Sequence, residues 1–300
     1  MSMPTNIGVI DLMMDTKAGK HATEQFDFLR TALKEGSKDS NFPVQYMFKD
    51  VPFSDQAESF DRSLEEEIPQ GADLLLPFMD RNGVERAMIP VSHKDVVAQK
   101  ALREHPDRFF GSYSIDPNQG MRAIRKLVDL YERFAIKAVT VFPCGYTPQV
   151  PANDKRLYPV YAKCVELDIP VCICIGVPGP RVPYAAQEVG LLDEVCYDFP
   201  ELRVVMRHGA EPWTALAVKL MLKWPNLYYS TSAFAPKYYP KEIIEYANTR
   251  GSDKIMYAGY FPIGLSLDRI FEEMPNVAFS EEVWPKFLRE NAIEVFKLDS

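Results

Sequence analysis

Eight short apolar runs, most of them followed by a stretch of helical periodicity, constrain this 300-residue chain more than any other feature. The runs cover residues 7–11, 86–91, 110–115, 137–142, 170–175, 202–208, 227–232 and 254–258. Near-continuous apolar runs of this length suit strands buried on both faces, as parallel sheets require. Between them, residues 121–134 place Ile124, Leu127, Val128 and Tyr131 on one helical face, with Arg122, Arg125, Lys126 and Glu132 free to meet water. Residues 157–167 and 212–224 read the same way.

Strand and helix alternating about eight times predict an α/β fold, a (β/α)₈ TIM barrel. A doubly wound open sheet is the alternative, but no Gly-rich phosphate loop follows the first run. The segment from Lys17 to Gln70 is too long for a simple crossover and reads as an insertion after the first strand, with an acidic run at Glu65, Glu66 and Glu67. Pro69 should end any helix begun near Asp61, and a second helix is expected from Ala72 towards Met79. One domain is expected over residues 1–300, since barrels of this class run to about 250 residues or more as a single unit.

A net charge of −8 argues against nucleic acid or an anionic membrane as partner, because both demand a basic surface. No apolar run approaches the roughly 18 residues a membrane span needs. Five cysteines, an odd number without scaffold spacing, read as reduced thiols in a cytoplasm.

In such barrels chemistry sits at the C-terminal ends of the strands, where every second side chain points into the mouth. The inward set read from the alternation is Asp11, Met13 and Asp15; Thr140 and Phe142; Cys172 and Cys174; Met206 and His208; and Ala258 and Tyr260. A one-residue slip would invert any of these. On this register Arg207 faces a helix, away from the mouth.

The segments Met79-Asp80-Arg81-Asn82-Gly83-Val84, Glu104-His105-Pro106-Asp107-Arg108-Phe109, Gly176-Val177-Pro178-Gly179-Pro180-Arg181 and His208-Gly209-Ala210-Glu211-Pro212-Trp213, with the closing Asn291-Ala292, occur in this order over nearly the whole chain. In them the chain resembles the amidohydrolase-related family, which includes aminocarboxymuconate-semialdehyde decarboxylase and resorcylate-type decarboxylases. The resemblance implies a homodimer and a divalent metal, usually zinc, held by a His-x-His after strand one, a His on strand five and an Asp after strand eight. Here those positions carry Met13 and Asp15, Cys174, and Tyr260. The strand-four position offers Thr140 and Phe142, and only the strand-six histidine, His208, is kept.

The candidate catalytic residues are therefore His208 as acid or base, Tyr260 as proton or hydrogen-bond donor, Asp15, and Cys174 as a thiol within reach of a base. Arg181, Met13, Phe142, Thr140, His93 and Trp213 are candidate substrate contacts, Arg181 as a carboxylate clamp or a solvated loop residue. His21 and His105 read as structural or surface. No cofactor is expected, zinc entering only through a rearranged trio of Asp15, Cys174 and His208.

The function expected is a metal-independent hydrolase or carboxy-lyase for a small carboxylated cyclic or aromatic molecule, an activated ester or lactone being a better hydrolytic substrate than an amide. Two alternatives stand beside it. One is a catalytically inactive barrel that binds a ligand or partners an active relative; the other is a hydrolase with the rearranged metal site.

Overall fold

Each apolar run forms a strand because its residues are buried on both faces and satisfy their backbone groups laterally. The computed structural model of the chain describes residues 3–18 and 69–299. The strands are β1 (Val9–Asp11), β2 (Val84–Pro90), β3 (Phe109–Ser114), β4 (Ile136–Val141), β5 (Val171–Cys174), β6 (Val204–Arg207), β7 (Leu227–Ser230) and β8 (Ile255–Met256). They lie side by side in sequence order, all parallel. Past β8 the chain meets the chain past β1: Met14 bridges Phe261, Asp15 N donates to Phe261 O (3.0 Å), and Gly259 N donates to Asp11 Oδ1 (2.8 Å). The sheet thus curls into the predicted barrel. Most of the insertion read at Lys17–Gln70, with its acidic run and His21, lies outside the described residues.

The helices α1 (Ala72–Arg81), α2 (Val96–Glu104), α3 (Met121–Arg133) and α4 (Tyr158–Glu166) follow in alternation with β2, β3 and β4. Asp95 caps α2 by accepting from Ala98 N (3.0 Å), which satisfies one of the donors a helix N-terminus leaves open. In α3 the buried stripe is Ala123, Ile124, Leu127 and Leu130, so the face is rotated from the expected one and Tyr131 lies at the surface. Tyr131 reaches the backbone of Leu167 through its hydroxyl instead of entering the core. Among the described residues no helix is long and apolar enough to cross a membrane.

Two apolar layers result. The larger lies between strands and helices and includes Val139, Val171, Met206 and Tyr229. The smaller fills the barrel itself with Ile10, Met88, Phe110, Ala138, Cys172, Val205 and Met256. Ala292, Val295 and Phe296, from the C-terminal helix Asn291–Phe296, join this inner layer. Arg203 Nε and Lys137 Nζ, both beside strand starts, donate to the backbone oxygens of Val295 (2.8 Å) and Lys297 (3.1 Å) and hold that end in place. With one end filled, the free volume lies at the other, where the strands finish.

Candidate active site

Inside the barrel the alternation runs Phe110, Ser112, Ser114 on β3, Ala138, Thr140 on β4, Cys172, Cys174 on β5 and Val205, Arg207 on β6. The β6 register therefore differs from the expected one. Met206 belongs to the outer layer, and Arg207 faces the mouth. His208 reaches the mouth as well, because its φ of 66° interrupts the alternation, followed by Gly209 at 88° and Ala210 at 59°. Extended alternation holds only while the backbone stays extended, and a left-handed residue resets it.

A cavity of about 440 Å³ opens at these strand ends. Its wall is largely apolar, with Met13, Ile115, Phe142, Tyr146 and Tyr260, and its polar groups are Ser114, Asp116, Thr140, Cys174, Gln187, Arg207 and His208. Behind it a chamber of about 90 Å³ is lined by Leu12, Met13, Met14, Asp15, Met88, Pro90 and Ser112. Ser114, Thr140, Arg207 and Tyr260 border both spaces.

Ser114 and Thr140 are register partners on β3 and β4, and their hydroxyl oxygens lie 2.7 Å apart. Cys174 and Arg207 are register partners on β5 and β6. Tyr146 braces this rim by accepting from Phe142 N (3.1 Å) and donating to Ile115 O (2.7 Å). Gln187 braces the β5 side, with Nε2 donating to Gly176 O (3.1 Å). His208 lies against Ser232, whose hydroxyl oxygen accepts from His208 N (3.1 Å) and sits 3.3 Å from Nδ1. The His208 and Tyr260 rings are 5.6 Å apart, tilted by 59°.

The electrostatics separate the candidates. Burial, and secondarily the Arg207 cation beside it, pushes the His208 imidazole down to about 3, so it is neutral at ordinary pH. Burial pushes the Cys174 thiol up to about 11, with Arg207 opposing, so it stays protonated and is a poor nucleophile. Burial also lifts the Asp15 carboxyl to about 6, with Lys17 opposing. Its Oδ1 accepts from Lys17 N (3.1 Å). Asp15 thus titrates near neutrality, as a general acid must.

Asp11 stands apart from the mouth. It is fully buried, and its Oδ1 accepts from Met13 N (2.9 Å) and Gly259 N. A side chain at residue 259 would lie 2.6 Å from Asp11 Oδ2, so glycine is required there.

The cavity brings together Met13, Thr140, Phe142, Cys174, His208 and Tyr260, with Asp15 in the chamber behind. The other three candidates lie elsewhere. His93 is held on the outside by Asp129 (2.8 Å), Arg181 is exposed on the loop after β5, and Trp213 packs against Tyr184 with ring centroids 5.7 Å apart. Ser114 and Tyr146 are absent from the set expected from sequence, and Arg207, expected to face a helix, lines the mouth instead. A charged residue inside a run buried on both faces was the available signal for Arg207.

A family model described as amidohydrolase matches residues 59–298. No curated protein matches the chain. Among solved structures, an uncharacterized TIM-barrel protein from Bordetella bronchiseptica superposes with a TM-score of 0.73 at 21% identity, covering 97% of this chain and 99% of that one. A 5-carboxyvanillate decarboxylase from Novosphingobium aromaticivorans, solved with manganese and 4-hydroxy-3-methoxy-5-nitrobenzoic acid, gives 0.69 at 15% identity over 98% and 97% of the two chains. A dihydroxybenzoic acid decarboxylase from Polaromonas, solved with manganese and 2-nitroresorcinol, gives 0.65 at 16% identity over 97% of both.

These structures correct one expectation. The sequence reading assigned no cofactor, whereas similar decarboxylase structures hold manganese, so a divalent metal is what the fold implies. The donors among the described residues do not match such an ion. Among the described residues no group of three or more His, Cys, Asp or Glu side chains is placed to hold a metal, the trio of Asp15, Cys174 and His208 included. The guanidinium of Arg207 lines the same cavity and would repel a cation there.

Proposed function

The chain belongs to the amidohydrolase family, and from that premise we propose that it is a carboxy-lyase-like enzyme acting on a small carboxylated cyclic or aromatic compound bound in the barrel mouth. The observation that carries this reading is Arg207: a cation only 8% exposed, on the border of a largely apolar cavity of about 440 Å³. Pockets of this size and lining suit a small ring compound, with a few placed polar groups fixing its orientation. The similar structures bound to nitrobenzoate and nitroresorcinol ligands lend support to a ring of that size.

Loss of carbon dioxide breaks a C–C bond, leaves its electron pair on the ring carbon, and requires a proton there in exchange. Asp15 is the group in the proposal that supplies it, because its carboxyl titrates at about 6 while His208 and Cys174 lie far from neutrality on either side. Neutral His208 and Tyr260 act as hydrogen-bonding groups towards ring substituents, and Met13 and Phe142 exclude water from the ring face.

The test is consumption of hydroxybenzoates by the full-length chain, followed by ring absorbance with and without added manganese. Turnover that Asp15→Asn abolishes while binding persists supports the reading. A ligand-binding barrel without turnover is the second reading, favoured by the lack of a metal-binding group among the described residues, and it predicts binding without consumption in every condition.

A further inference from the structure

Arg207 raises a question of charge balance that the fold alone leaves unanswered. It is more than nine-tenths buried, yet among the described residues no acceptor or carboxylate pairs with it. Asp11 feels its field and engages Met13 N and Gly259 N through Oδ1, while its Oδ2 is buried without a hydrogen-bond partner and forms no ion pair with Arg207. A guanidinium carries five N–H donors in a fixed fork, and burying it without acceptors is costly. The Ser114 and Thr140 hydroxyls, which border the same two spaces as Arg207, share one hydrogen bond of 2.7 Å. One hydroxyl hydrogen is spent between them, and the other is left to donate.

We infer that Arg207, with the free O–H of the Ser114–Thr140 pair, is a carboxylate-binding site at the border of the two chambers. It fixes the ligand with its carboxyl group inward and its ring outward. Size supports this orientation. The inner chamber, about 90 Å³, has the volume of about three waters and is smaller than the roughly 150 Å³ cavity known to take a benzene ring. A carboxyl group fits there; the ring stays in the larger mouth. The ligand class is a carboxylate borne directly on a small ring, and a neutral isostere leaves the guanidinium unpaired. This assignment deepens the proposed substrate class and rests on that reading only for which carboxylate is turned over; anion binding itself needs no catalysis.

Calorimetric titration of the full chain with sodium benzoate and with benzamide tests it. Benzoate is expected to bind saturably and benzamide at least about ten-fold more weakly, since a charge-assisted pair is lost. Arg207→Met should weaken benzoate about ten- to hundred-fold, Arg207→Lys less, and Ser114→Ala by a few-fold, with each variant's folding checked by thermal melting. Equal binding of benzamide, unchanged benzoate affinity in a folded Arg207→Met, or no saturable benzoate binding up to tens of millimolar overturns the inference. Arg207-dependent binding without turnover of any hydroxybenzoate sinks the enzymatic reading and leaves the site standing. Turnover indifferent to Arg207 does the reverse.

Discussion

Arg207 and His208 are consecutive in sequence, yet both side chains line one cavity, because His208 adopts a left-handed backbone conformation with φ of 66°. For a residue with a Cβ that conformation costs about 1–2 kcal/mol, and glycine avoids the cost. His208→Gly should therefore be more stable than His208→Ala by about 1 kcal/mol in denaturant unfolding. Equal stability would place residue 208 in ordinary extended backbone and remove the reason both side chains reach the mouth.

Arg207 should weaken the ligand-free protein. A buried cation without a partner is destabilising, and exchange for an apolar side chain of similar length is often stabilising by about 1–4 kcal/mol. Arg207→Met should raise the urea midpoint at unchanged slope. A fall of about 3 kcal/mol or more would show instead that the guanidinium is paired.

The buried groups give stability opposite pH dependences. The His208 value is depressed to about 3 from the usual 6.5, so between those values the unfolded chain binds a proton that the native chain does not. Its contribution is complete above about pH 6.5 and is lost on acidification, by up to about 1.4 kcal/mol per pH unit before allowance for the open side of the cavity. His208→Asn should flatten that loss. Asp11, lifted by burial to about 6 from 3.8, acts the other way: its contribution is complete below about pH 4 and is lost as pH rises through 6. Asp11→Asn keeps an acceptor for Met13 N and should be more stable than the parent at pH 7 but not at pH 4. Melting curves at both values decide it.

If Asp15 supplies the proton, kcat/KM should fall as pH rises through about 6, because the acid form is the active one. Asp15→Asn should remove that limb with most of the activity and leave benzoate affinity within about two-fold. A profile flat from pH 5 to 8 would exclude Asp15 from proton transfer.

The fold was legible because a barrel strand needs apolar residues on both faces, and the eight apolar runs overlap the eight strands to within a few residues. Thr140, Cys174 and Tyr260 were placed in the mouth by simple alternation. Alternation failed at β6, where Val205 and Met206 are both apolar and give no sign of which points inward, and where the turn at His208 resets the count. The pairing of Ser114 with Thr140 depends on β3–β4 register, which no local pattern encodes. Arg181, Trp213 and His93, candidate substrate contacts by sequence, do not line the cavity, because a loop's path is set by what it packs against, here Tyr184 for Trp213 and Asp129 for His93. Reading no cofactor from the replaced ligand positions was a step beyond what those residues establish, given the manganese in similar structures.

The most direct measurement of the central claim is carbon-13 NMR of the full chain incubated with carboxyl-labelled hydroxybenzoates, with and without manganese. The account predicts that a bicarbonate resonance grows at the expense of the ring carboxylate, and that Asp15→Asn and Arg207→Met suppress it. Labelled hydroxybenzoates that bind saturably and remain intact in both conditions would contradict it.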